Sequence, residues 1–106
     1  MSDEREDLCS LSEGDFQGRE SEWHAVLDRS VRACEELPNG FKLSLEGDGR
    51  IFAELARLAA LEGHCCGWMK IDLSIGGTVP IALNITANAP GGKELIRLLI
   101  PAACQA

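Results

Sequence analysis

The chain has 106 residues, is 45% hydrophobic, carries a net charge of -7 and contains five cysteines. That length is one domain's worth of chain. A chain this acidic has no basic stripe with which to neutralise phosphates, which argues against nucleic acid and against anionic membrane surfaces as partners. It also lacks a run of about 18 apolar residues, so no membrane span is expected.

Met1-Ser2-Asp3-Glu4-Arg5-Glu6-Asp7 is acidic and polar, unlike a secretory signal, and a cytoplasmic location is expected. Residues 1–8 read as a disordered acidic tail, 9–101 as a single domain and 102–106 as a C-terminal tail. Ser12 with Asp15 resembles a capping box, with Leu11 and Phe16 as its hydrophobic staple. The first helix is therefore expected to start at Ser12. Its better part is 20–36, with Trp23, Val26, Leu27, Ser30, Cys34 and Leu37 as the apolar stripe and Pro38-Asn39-Gly40 as the stop.

Phe41, Leu43 and Leu45 alternate with polar residues and predict a half-buried strand. Gly47-Asp48-Gly49 is a turn, with Asp48 placed to cap a central helix from about Arg50 to His64. Gly67 is expected to end that helix in the left-handed conformation. Residues 70–75 form a second alternating strand, Gly76-Gly77 a hairpin turn, and Val79, Ile81, Leu83 and Ile85 a third strand that starts near Pro80. A last helix over about 92–100 presents Leu95, Leu98 and Leu99, and Pro101 ends it. The order α-β-α-β-β-α predicts an α+β fold. Its three-stranded antiparallel sheet has the third strand between the other two and helices packed on one face, a partial ferredoxin-like plan.

The chemistry gathers at Leu58-Ala59-Ala60-Leu61-Glu62-Gly63-His64-Cys65-Cys66-Gly67-Trp68. At about 100° per residue, Ile51, Leu55, Leu58, Ala59 and Cys66 share one stripe, with Cys65 at its edge. Glu62 falls in the middle of that stripe, where leucine is expected, and such a local violation marks functional or strained sites. His64 falls on the opposite side, as a solvent-exposed helix residue. Glu62 has two readings. Either it rotates outward or pairs with a basic residue of the first helix, such as Arg29 or Arg32, or it serves the thiols as hydrogen-bond acceptor, proton acceptor or ligand.

No Cys-x-x-Cys pair exists, so neither a zinc ribbon nor a thioredoxin-type motif is available. A reducing compartment disfavours structural disulfides. Cys34 reads as core packing and Cys104 as incidental. A thiolate pair at Cys65 and Cys66 suits copper(I), mercury(II) or arsenic(III), whereas zinc asks for four ligands. The negative end of the helix dipole does not activate these thiols. Trp23 and Trp68 read as core anchors, and Trp68 is also placed to cover the thiols. No Ser/His/Asp arrangement, phosphate loop or catalytic carboxylate pair can be made out, so an enzyme would have to rest on the thiols and Glu62. The Asn84-Ile85-Thr86 sequon lies inside a predicted strand.

Glu62-Gly63-His64-Cys65-Cys66-Gly67-Trp68 resembles the Glu-x-x-Cys-Cys-x-Phe/Trp signature of a family of small bacterial proteins associated with heavy-metal resistance. The likeness extends to Cys9-Ser10-Leu11, to Arg19 and Trp23 four apart, and to Leu83-Asn84-Ile85-Thr86-Ala87-Asn88-Ala89-Pro90. Gly67-Trp68 stands where that family's Pro-Phe is expected, which leaves the path of the turn open. The resemblance implies that Cys9 approaches Cys65 and Cys66 and completes a three-thiolate metal site. Three functional expectations follow: a soft-metal-binding protein using Cys65, Cys66 and Cys9 with support from Glu62, His64 and Trp68; a thiol redox protein or enzyme with a reactive Cys65 or Cys66; and a non-enzymatic homodimer whose second copy covers an exposed sheet edge.

Overall fold

A computed structural model describes residues 13–65, 67–77, 80–101 and 104; the side chains of 13–17 and 63–65 lie outside that description. The elements are α1 (Glu13–Leu27), β1 (Val31–Leu37), β2 (Gly40–Leu45), α2 (Gly49–Cys65), β3 (Met69–Ile75), β4 (Ile81–Ala87) and α3 (Gly92–Leu99). The strands form one antiparallel sheet in the order β1-β2-β4-β3.

The α+β class holds, as does the placement of the last strand between the two that flank α2. The sheet has four strands rather than three. A hairpin, β1-β2, stands where a ferredoxin-like plan has strand and helix. The residues expected to continue the first helix are β1. Ser30 explains the change of direction: it is buried, its hydroxyl donates to the Val26 carbonyl at 2.7 Å, and its own carbonyl accepts from Glu46 N–H at 2.8 Å. These bonds close α1 and start the pairing with β2. The helical reading of 31–37 has a physical source. A bulge between Val31 and Ala33 puts Val31 and Cys34 on the same side of β1, and the half-buried Leu37, on the other face, extends the three-residue spacing. Edge strands with an irregular register lose the two-residue alternation by which strands are recognised.

Pro38-Asn39 is therefore a hairpin turn, not a helix stop, and Leu37 pairs with Gly40 across it. Gly40 is needed because a Cβ there would lie 2.0 Å from the Ile85 carbonyl oxygen of β4. Asp48 caps α2 as expected, accepting from Arg50 N–H at 2.9 Å and Ile51 N–H at 3.3 Å. The connection after β3 spans 76–80, longer than a two-residue turn. Gly76 and Gly77 take φ of 112° and 79°, and Gly76 N–H donates to the Pro80 carbonyl at 3.0 Å. β4 begins directly after Pro80; Val79 lies outside the described residues, as does the cap at Ser12.

The core lies between the helices and one sheet face: Trp23, Val26 and Leu27 from α1, Leu55 and Leu58 from α2, Leu95, Ile96 and Leu99 from α3, and Phe41, Leu43, Leu45, Ile81, Leu83 and Ile85 from the central strands. Leu98, expected on the inner face of α3, is instead exposed, and Ile96 takes its place. The opposite sheet face is polar, with Lys42, Lys70 and Asp72 exposed and Asn84 and Thr86 half-buried. Among the described residues no helix is long and apolar enough to cross a membrane.

Candidate functional site

Glu62 occupies the core stripe of α2 beside Leu55 and Leu58, and its side chain is 2% exposed. Its Oε1 accepts from Arg19 Nη1 at 2.9 Å and from the indole Nε1 of Trp23 at 3.2 Å. Both donors come from α1, one helical turn apart on the face that packs against α2. Arg19 is itself only 13% exposed and lies 3.8 Å from Glu22. The expectation of a basic partner on the first helix is met, but by Arg19. Arg32 lies on β1 and pairs with Glu46, while Arg29 lies in the exposed turn after α1. The signal for Arg19 was in the sequence: a cation and an indole at i and i+4 share one helix face.

On the other side of the cysteine pair, Trp68 is half-buried against the core where β3 begins. Its carbonyl accepts from Asn88 N–H at 3.0 Å, beyond the end of β4. Its ring lies against the first residue of α3, since a Cβ on Gly92 would come within 2.8 Å of Trp68 Cε3. The anchor role expected for both tryptophans holds. Between Glu62 and Trp68 the chain runs through the last turn of α2, which ends at Cys65. Gly67 is exposed and its φ is not positive, so the helix does not end through a left-handed glycine there.

Cys9, Cys66 and the side chains of His64 and Cys65 lie outside the described residues, and so does any approach of Cys9 to the pair. Among the described residues no group of three histidine, cysteine or acidic side chains could hold a metal ion. What the described part supplies is a frame. The thiol segment is preceded by a buried carboxylate paired with α1 and followed by an indole that lies against the start of α3.

The remaining two cysteines depart from expectation. Cys34 is not on a helix stripe and Cys104 is not incidental: they are joined in a disulfide across 70 residues, with Cα atoms 5.4 Å apart. Nothing local signals this bond, because the pairing depends on where β1 and the segment after α3 meet. Close by, Glu36 of β1 reaches Lys93 at 2.6 Å and Arg97 at 3.7 Å on α3. The hydrogen bond from Lys93, then its charge, holds the Glu36 carboxyl below its ordinary value. The two cations also flank the Phe41 ring, at 5.6 Å and 5.1 Å from its centroid. The Asn84-Ile85-Thr86 sequon lies within β4, as expected.

The fold and frame define a small α+β domain with a cysteine pair where a helix gives way to a strand. No family model matches the chain, and comparison with curated proteins and with solved structures found no match.

Proposed function

We propose that the chain is a soft-metal-binding protein of the copper(I), mercury(II) or arsenic(III) class, using the thiolates of Cys65 and Cys66 with Cys9 as a third. In this reading it is one of the small bacterial heavy-metal-associated proteins with the Glu-x-x-Cys-Cys-x-Phe/Trp signature, working in a reducing cytoplasm. The observation that carries it is the Arg19–Glu62–Trp23 cluster at a core position one turn before the thiols. Burying a carboxylate costs stability unless it is paired, and an apolar replacement serves packing as well or better. A cluster placed there is explained by the segment it orients. Trp68 fixes the far end and shields the site from water. His64 is a supporting residue beside the pair.

The donor set suits this class. Two or three thiolates satisfy the low coordination numbers of soft ions, while zinc would need a fourth ligand. Each thiol that binds releases its proton, so affinity rises with pH. The experiment is native mass spectrometry of reduced, anaerobic protein after one equivalent of copper(I), zinc or mercury(II), with the Cys65→Ser/Cys66→Ser variant alongside. One ion held by the wild type and lost by the variant is expected. Equal retention by both would overturn the reading.

A homodimer is the second reading, favoured by Ile75. It lies at the end of edge strand β3 and is 56% exposed. An unpaired strand edge carrying an apolar residue is a surface that a second copy can cover. Ile75→Lys should then convert a dimer to a monomer in sedimentation; a wild type that is monomeric at all concentrations removes this reading.

A further inference from the structure

The Cys34–Cys104 bond plays no part in the metal-binding reading. We propose that this pair is a thiol–disulfide exchange site that reversibly fastens the segment after α3 to edge strand β1, with a low-molecular-weight disulfide or thiol as co-reactant. Position, access and the elements joined all point to it.

Among the described strands Cys34 sits on the outermost, paired with β2 alone, and the Cys104 N–H donates to the Pro101 carbonyl at 3.0 Å. Their Cα separation of 5.4 Å lies in the range that closes without backbone movement. The bond can thus open and re-form on an unchanged fold.

Both residues are only partly buried, and an open cavity of about 230 Å³ is lined by Val31, Arg32, Ala33, Cys34 and Cys104. Exchange needs a reactant to approach a sulfur in line with the breaking bond, and buried disulfides resist it for want of that approach. Here a thiol or disulfide of modest size can reach the pair from solvent. Arg32 lines the same cavity, and its guanidinium pairs with Glu46.

Besides the disulfide, β1 and α3 are linked by the exposed contacts of Glu36 with Lys93 and Arg97. Opening the disulfide leaves α3 docked by its buried face and by Ile100 and Pro101, and frees Cys104 from β1. The state of the pair therefore sets whether Cys104 is tied to β1.

The chemistry balances with a small disulfide R–S–S–R. One protein thiolate attacks it, forming a mixed disulfide and expelling R–S⁻. The second protein thiolate attacks the protein sulfur of that mixed disulfide and expels the other R–S⁻. Two protein thiols thereby lose two electrons and two protons, and R–S–S–R becomes two R–SH. Excess thiol runs both steps backwards.

The test uses the full chain with Cys9→Ser, Cys65→Ser and Cys66→Ser. This removes every thiol of the proposed metal site and leaves Cys34 and Cys104. The protein is equilibrated in buffers of varied reduced-to-oxidised glutathione ratio, quenched with acid, alkylated and weighed intact. The expected result is a reversible change between two alkylated thiols and none. The oxidised form should melt roughly 10 °C or more above the reduced one, and the β1 amides should exchange faster after reduction. Two free thiols in every buffer, stable glutathione adducts on separate cysteines, or a bond that no thiol excess opens would each overturn the proposal. In case the triple variant does not fold, non-reducing peptide maps of the wild type equilibrated in the same glutathione buffers decide the same point: a Cys34–Cys104 bond that forms and opens with the glutathione ratio supports the proposal, and Cys34 joined to another cysteine or a Cys34–Cys104 bond that excess thiol does not open overturns it. A negative metal result with the wild type leaves this outcome untouched, because the metal reading involves neither residue.

Discussion

Glu62 and Arg19 form a nearly dry ion pair 2.9 Å apart between α2 and α1, at a position where the α2 stripe calls for leucine. The geometry ties the end of α2, and so the start of the thiol segment, to the first helix. Arg19→Met leaves a buried carboxylate without its guanidinium and should cost about 3–5 kcal/mol. Arg19→Met combined with Glu62→Leu removes both charges and should recover most of that loss. Urea denaturation of the two variants reads the difference directly. A double variant that is stable but binds metal poorly would assign the pair to orienting the thiols. Unchanged metal binding would assign it to packing.

Gly92 is where Trp68 meets α3. A methyl group there would lie 2.6 Å from Ala87 Cβ and 2.8 Å from Trp68 Cε3, closer than such atoms approach. Gly92→Ala should therefore displace the Trp68 ring and destabilise by roughly 1–3 kcal/mol, the usual cost of overpacking. In two-dimensional NMR the Trp68 indole resonance should move while that of Trp23, held by Glu62, stays in place. If both remain fixed, Trp68 is not seated on Gly92 in solution.

Gly40→Ala should be more severe. The added Cβ would meet the Ile85 carbonyl oxygen at 2.0 Å and Thr86 Cα at 2.7 Å, both backbone atoms in the middle of the sheet. No rotamer change relieves such a contact, so the β2–β4 pairing must separate. The loss should rank among the largest single-residue effects, roughly 4 kcal/mol. A melting curve close to that of the wild type would refute the close approach.

Acid should loosen α3. The Glu36 carboxyl is held below its ordinary value of 4.5, first by the hydrogen bond from Lys93 and then by the charges of Lys93 and Arg97. A depressed folded-state value means the contribution is complete above about pH 4.5 and is lost as pH falls through the folded-state value. Asp48 is depressed in the same direction by the Ile51 and Arg50 N–H groups it caps, so it adds to the same trend. Melting temperature should be flat near neutrality and drop below about pH 4.5, less steeply in Glu36→Gln. Added salt should reduce the Glu36 part, because the pair is exposed. Identical acid profiles for Glu36→Gln and the wild type would place the effect elsewhere.

Legibility from sequence followed the range of the interaction that fixes each element. The amphipathic stripe of α2, its Asp48 cap, the alternation of Phe41, Leu43 and Leu45, and that of Ile81, Leu83 and Ile85 are local patterns. They determined the class, the central βαββ segment and the anomaly at Glu62. Local pattern misassigned 31–37, because an edge strand with a bulge can present apolar residues at helical spacing. Its identity as β1 came from pairing with β2.

The spacing of Arg19 and Trp23 put a cation and an indole on one helix face, but that they meet Glu62, and that Cys104 meets Cys34, was decided by the tertiary structure. A residue's type says what it can pair with; which candidate comes into contact is decided by how helices and strands pack after the chain has folded. Sequence therefore determined where the unusual chemistry lies, a carboxylate and two thiols at one helix end. The fold decided what holds it: an arginine 43 residues away and an indole from the helix in front.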